Sequence, residues 1–151
     1  MRSGFTRLLG MALALGLLAT SASVGSPAPA SADMMGKFSV PLMGQGMYAG
    51  GEISGHAIGS VDEGIVLVHA IGLPPTEGER SYVGWLVNSM TGEKFNTGIL
   101  KPVGPGGAYS GAYTSGMALP GSGYTMFAVT IEPNMNMSND PAGDIIIAGN
   151  L

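Results

Sequence analysis

The most constraining feature of this sequence is the stretch from Gly123 to Pro133, GYTMFAVTIEP. From Tyr124 to Ile131 nearly every side chain is aromatic, β-branched or otherwise apolar, which is typical of a strand buried on both faces. Pro133 then ends the hydrogen-bond ladder, because proline has no backbone N–H to donate. The stretch therefore predicts a strand in the middle of a sheet. A second apolar strand, DIIIAG, is predicted from Asp144 to Gly149.

Glycine and proline divide most of the remaining chain into short strand-like segments, and no stretch after residue 32 has the period of a helix. Glu52 to Val61 and Glu63 to Leu73 meet at the turn sequence Asp62-Glu63-Gly64 and predict a tight hairpin. The second of these strands is apolar on both faces, so we expect it inside a sheet. Ala108 to Thr114 alternates with the period of two that is typical of a half-buried strand.

Two further segments add to the expected fold. Lys37 to Met43, KFSVPLM, predicts a first strand that Pro41 confines to a sheet edge. Ser81 to Asn88, SYVGWLVN, predicts a strand whose single tryptophan, Trp85, anchors the core, because an indole buries on the order of 200 Å². About eight strands at this spacing favour an all-β, antiparallel, immunoglobulin-like β-sandwich. A closed barrel is the alternative that the spacing leaves open.

The first 32 residues have the pattern of an export signal. Two arginines among the first seven residues precede the apolar run from Leu8 to Ala19, and Ala30-Ser31-Ala32 provides small residues for cleavage. We predict cleavage after Ala32, with Ala22 as the competing site. A single domain, residues 33–151, would then be secreted or periplasmic, with no membrane anchor left after cleavage.

Composition narrows the classes of function. The chain has no cysteine, which excludes disulfides and the lipidated cysteine of a bacterial lipoprotein. Residues 33–151 contain four cationic and ten acidic side chains, a formal charge of −6. So acidic a domain is not expected to bind nucleic acid or an anionic membrane surface.

Several segments together resemble the extracytoplasmic C-terminal domain of the anti-sigma-K factor family. The resemblance spans roughly residues 53–151 and includes Gly72-Leu73-Pro74-Pro75, Tyr82-x-x-Trp85-Leu86-Val87, Gly98, Ala128-Val129-Thr130-Ile131-Glu132-Pro133, Pro141 and Gly149. It implies the fold of that outer domain. A signal peptide stands where the family has its sigma-binding helical region, so the resemblance does not imply sigma-factor binding, and no functional residue is carried over.

Two histidines and two methionines suggest an alternative function. With the hairpin turn near Asp62, His56 and His69 face each other across two strands, close enough to share a metal ion. Methionines such as Met43, Met47, Met135 and Met137 are the available thioether ligands, and the Met-x-Met spacing of Met135 and Met137 suits Cu(I). A periplasmic or secreted copper-binding protein is therefore the alternative, although the sequence favours structural, hydrogen-bonded histidines and no metal site.

No catalytic motif accompanies these residues. The sequence has no G-x-S-x-G elbow, and Gly121-Ser122-Gly123 is better explained as a turn. Glu132 is the most conspicuous acid, and we expect it to face solvent or to accept backbone N–H groups. We therefore predict a non-enzymatic binding or interaction domain without a cofactor, whose partner is an envelope protein or a small ligand. Binding would use loops or an exposed sheet face.

Overall fold

The structure, a computed structural model, describes residues 36–133 and 140–151. These residues form eight strands and one short 3-10 helix, Gly46–Tyr48. The strands are β1 (Lys37–Gly44), β2 (Ser54–Ser60), β3 (Ile65–Ile71), β4 (Arg80–Val87), β5 (Lys94–Gly104), β6 (Ala108–Thr114), β7 (Met126–Pro133) and β8 (Ile145–Asn150). No helix in the described ranges is long and apolar enough to cross a membrane. The predicted signal peptide lies outside the described residues.

The eight strands are all antiparallel and close into one barrel, in the order β1-β2-β3-β6-β5-β4-β7-β8. β4, β5 and β6 follow one another as a meander, and β6 returns beside β3, which gives a Greek-key connection. The all-β, eight-strand prediction is confirmed. The sheet differs from the predicted sandwich because every strand has a neighbour on both sides.

The barrel closes where β8 meets β1. β1 pairs with β2 along its length and with β8 at Met43 and Gly44. Gly149 permits this approach, since a Cβ built on it would lie 2.2 Å from the carbonyl oxygen of Pro41. The prediction that Pro41 confines β1 to an edge is therefore wrong for the strand as a whole, although Pro41 lies outside the two residues paired with β8.

The central position predicted for the strand before Pro133 is confirmed. β7 lies between β4 and β8, and its residues from Phe127 to Thr130 are all buried. The strand begins at Met126, two residues after the predicted start. Because β7 has a partner on each side and side chains buried on both faces, it needs the apolar sequence that it has.

Trp85 is fully buried, as predicted, but not in the main core. Tyr82 and Leu86 of the same strand belong to the hydrophobic core cluster, and Trp85 does not. Its indole Nε1–H donates instead to the hydroxyl of Thr130, 2.8 Å away. Since neighbouring side chains on a strand point to opposite faces, Trp85 lies in a second buried layer on the outer side of β4 and β7.

Tyr82 fixes the entry to β4. Its hydroxyl donates to the carbonyl oxygen of Pro74 at 2.6 Å, and its ring packs edge-to-face on Tyr109 with centroids 4.9 Å apart. Burial, and then the neighbouring Tyr109 and Tyr48, raise the pKa of this phenol above its ordinary value. The hydroxyl therefore stays protonated and keeps its hydrogen bond to the loop that follows β3.

Candidate functional site: a groove on the outer face

The β2–β3 hairpin brings the two histidines together. Gly64 takes the left-handed conformation, with φ of 63°, that lets the chain reverse tightly after β2. The resulting register places His56 directly opposite His69, as predicted from the turn. Both imidazoles are exposed on the outer face of the barrel.

Each histidine is hydrogen-bonded to a serine of a flanking strand. Nε2 of His56 lies 2.8 Å from Oγ of Ser39 on β1, and Nδ1 of His69 lies 2.8 Å from Oγ of Ser110 on β6. The donor in each bond depends on the tautomer of the ring. One nitrogen of each ring is therefore engaged by the protein, which fixes the orientation of both side chains.

The structure brings together only part of the copper site that the sequence suggested. Met135 and Met137 lie outside the described residues. Among the residues that are described, no group of three or more histidine, cysteine, aspartate or glutamate side chains is placed to hold a metal ion. From these four residue types the groove therefore offers a transition metal two imidazoles, one fewer than the three protein ligands typical of catalytic zinc.

The histidine pair is part of a longer line of polar residues across four strands. His56, His69, Ser110 and Lys101 are successive direct partners on β2, β3, β6 and β5, and we call them the polar row. Their side chains all face outward, because direct partners in an antiparallel sheet share a face. Lys101 ends the row with a cation.

An apolar row runs beside the polar row. Ile58 pairs with Leu67, and Leu67 pairs with Ala112, on the same three strands β2, β3 and β6. Ile99, two residues before Lys101 on β5, lines the same groove, and we call Ile58, Leu67, Ala112 and Ile99 the apolar row. Ile58 and Leu67 are each 43 % exposed, an unusual position for two large aliphatic side chains on neighbouring strands.

A bulge in β5 turns the residues of that strand toward these rows. The register between β4 and β5 shifts beside Gly98, which has a φ of 100°. Thr97 and Leu100, three residues apart, are consequently both buried. The extra residue leaves Ile99 and Lys101 pointing outward beside β6.

Together the two rows line an outer groove of about 660 Å³. Ala112 and Ser110 of β6 contribute small side chains to its lining, and Leu67, Ile99 and Val103 contribute longer ones. A volume of this size falls in the range of roughly 300–1,000 Å³ typical of small-molecule sites. The groove is mostly apolar and has a few aligned polar groups, which is the usual composition of such sites.

The electrostatics of the groove differ from those of the whole chain. The full sequence has a net charge of −4. Among the described residues that line the groove, none is acidic and Lys101 is the cation. Lys94, on the same strand, forms an ion pair with Asp140 at 3.0 Å. The groove is thus a locally cationic surface on an acidic protein.

Glu132 lies elsewhere and has a structural role. It is fully buried and accepts the backbone N–H of Ala142 at 2.8 Å and the hydroxyl of Thr130, which also accepts from Trp85. The expectation that it either faces solvent or accepts backbone N–H groups is confirmed through the second of these, and the side chain is buried. The carboxylate holds the loop before β8 against β7.

The two serine–histidine contacts do not complete a hydrolytic triad within the described residues. A serine nucleophile needs a base that a third group orients, usually a carboxylate. None of the described residues that line the groove is a carboxylate. The contacts fix the orientation of the two imidazoles.

Sequence reasoning found the histidines and missed the groove around them. Lys101, Ser110 and Ile99 reach the site only because β5 and β6 fold back beside β3. A usable signal was present in β3, where Leu67, His69 and Ile71 alternate with the core residues. The strand lies inside the sheet, as predicted, yet its apolar outer face is exposed.

Comparisons with protein-family models, with curated proteins and with solved structures found no match, so function has to be argued from the chain itself.

Proposed function

We propose that this chain is an exported, non-enzymatic binding domain that holds its ligand in the outer groove. The observation that carries the proposal is the apolar row on the outer face, which lies beside the polar row. Exposed aliphatic side chains grouped in a concavity are uncommon on a protein surface and usually mark a binding site. The predicted signal peptide supports export.

We also infer kinship with the outer domain of anti-sigma-K factors, without their sigma-binding region. The residues of the resemblance that lie in β4 and β7 form the most buried part of the described chain. Two of the barrel's pairings are short: β1 with β8 at two positions, and β5 with β6 at three. Between these short pairings lie two groups of four strands, β1-β2-β3-β6 and β5-β4-β7-β8, which we infer are the layers of a flattened, sandwich-like barrel.

Substitution of Ile58 tests the groove as the binding site. We expect Ile58→Gln to weaken binding of the neutral apolar dye Nile red about tenfold, because it puts a polar amide into the apolar row. Ile145→Gln is the matched control, since Ile145 is 41 % exposed and Ile58 43 %, and Ile145 does not line the groove. Dye fluorescence gives both affinities. Equal affinities in the two variants, or no dye binding by the parent, would exclude the groove.

A copper-binding function is the second candidate, favoured by the direct pairing of His56 with His69. Our leading proposal expects no affinity for Cu(I) or Cu(II) tighter than micromolar, because two imidazoles on a surface provide few ligands. Titration of the metal-free protein measures this. Tighter binding that disappears in both His56→Asn and Met135→Leu would establish the copper site instead. Retention of that binding in the Met135 variant would restrict the site to the histidine pair.

A further inference from the structure

We propose that the ligand of the outer groove is a free, single-chain amphiphile with one anionic head group, such as a fatty carboxylate. The head group lies at Lys101 and Ser110, and the alkyl chain lies along the apolar row. This inference rests on the proposed function, and it adds the chemical class of the ligand.

The charge of the groove selects an anion. Lys101 ends the polar row and, among the described residues lining the groove, meets no acidic side chain. Ser110 of β6 is the direct partner of Lys101. When Nδ1 of His69 carries the proton and donates to Ser110, the serine hydroxyl is able to donate its own hydrogen to the same anion. A cationic ligand would find no carboxylate to pair with in these lining residues. One lysine balances one negative charge, which matches a monoanion.

The apolar row selects an alkyl chain. Ile58, Leu67 and Ala112 are direct partners across β2, β3 and β6, two residues along each strand from the polar row, and Ile99 of β5 lines the same groove. A chain lying across the strands would cover Ile58, Leu67 and Ile99 and remove their aliphatic surface from water. None of the described lining residues is a phenylalanine, tyrosine or tryptophan, so the large ring-stacking surfaces commonly used for planar ligands are absent from them.

The overall charge favours a free molecule over a membrane. The sequence has a net charge of −4, and a protein of this charge is repelled by an anionic bilayer surface. A groove of about 660 Å³ is sized for one small molecule. An amphiphile that leaves water as a monomer is therefore the occupant that fits both the volume and the charge.

The histidines provide the measurement. The whole sequence contains two histidines, and both line the groove, so the imidazole NMR signals of a protein made without a histidine tag report on this site alone. Titrations use dodecanoate, dodecyltrimethylammonium and dodecanol, each below its aggregation concentration. We expect dodecanoate to shift both sets of imidazole signals and to bind about tenfold more tightly than the cation, because a hydrogen bond to a charged group is worth about that ratio.

Three variants locate the head group. Lys101→Gln is expected to reduce dodecanoate affinity about tenfold and to leave dodecanol affinity unchanged, because it removes only the charged partner. Lys101→Arg restores the preference for the anion. Lys94→Gln removes an equal charge from the start of β5, at a residue that does not line the groove, and leaves both affinities as in the parent.

The outcomes separate the inference from the proposed function. Nile red binding that Ile58→Gln weakens, together with equal affinities for the three amphiphiles, would overturn the anionic ligand and keep the groove. Absence of both dye and amphiphile binding would overturn both proposals. Binding to dodecanoate-containing phosphatidylcholine vesicles without binding to dodecanoate monomers would also overturn the inference, because it would make the site a membrane contact.

Discussion

Phe127→Ala is expected to lower the free energy of unfolding by about 3–5 kcal/mol, because it removes a fully buried aromatic ring and leaves a cavity. Phe127 is the second residue of β7, opposite Leu86 on one side and Gly149 on the other. Its ring also occupies the space beside Gly84, where a Cβ would lie 3.0 Å from Cζ of Phe127. Close packing on several sides limits how far the structure can relax into the cavity.

Phe95→Ala is the matched control for this prediction. Phe95 is half-buried on β5 and packs edge-to-face on Tyr113, with ring centroids 5.1 Å apart. We expect roughly half the loss seen at Phe127, because part of the ring is already in water. Urea unfolding of both variants measures the difference, with unchanged m values as the check on two-state behaviour. A loss at Phe95 as large as that at Phe127 would contradict the central, buried position of β7.

Gly149→Ala is expected to destabilise the fold by about 1–3 kcal/mol, although it adds a single methyl group. The new Cβ would lie 2.2 Å from the carbonyl oxygen of Pro41 and 3.1 Å from Cγ2 of Val40, so β8 has to move away from β1. This is where the barrel closes. We therefore also expect faster hydrogen exchange at the amides of Met43 and Gly44, which pair with β8.

Gly104→Ala is the control with the same change in another strand. A Cβ at Gly104 would have Ala108 as its nearest neighbour, at 3.9 Å, which is ordinary contact. That variant should match the parent in stability or exceed it slightly, since alanine has less conformational freedom in the unfolded chain. If Gly149→Ala unfolds at the same urea concentration as Gly104→Ala, the barrel does not close through the contact between Gly149 and Pro41. The two groups of four strands would then have free edges at β1 and β8.

The features predicted correctly from the sequence are those set by nearby residues. The register of the β2–β3 hairpin follows from one turn, so the pairing of His56 with His69 was predictable from their matching distances along the chain to Asp62 and Glu63. The central position of β7 was predictable because only a strand with two neighbours and two covered faces needs so continuous an apolar sequence. In each case the informative residues lie within a few positions of one another.

Trp85 shows where such reasoning fails. Its strand is apolar on both faces, and alternation cannot then tell which face looks into the barrel. The indole consequently lies in the outer buried layer with Thr130, on the other side of β4 from the main core. Glu132 shares that layer, and its burial depends on Ala142, ten residues away.

The amino-acid sequence by itself determined an all-β chain of eight strands, its central strand and its paired histidines, because these depend on side-chain alternation and on tight turns. Tertiary structure alone decided that β8 closes on β1, and that β5 and β6 place Lys101, Ser110 and Ile99 beside the histidine hairpin. Pairing between strands far apart in sequence depends on backbone approach at single positions, such as Gly149, and on a bulge at Gly98 that reverses the facing of every later residue in β5. Neither effect leaves a periodic signal along the chain.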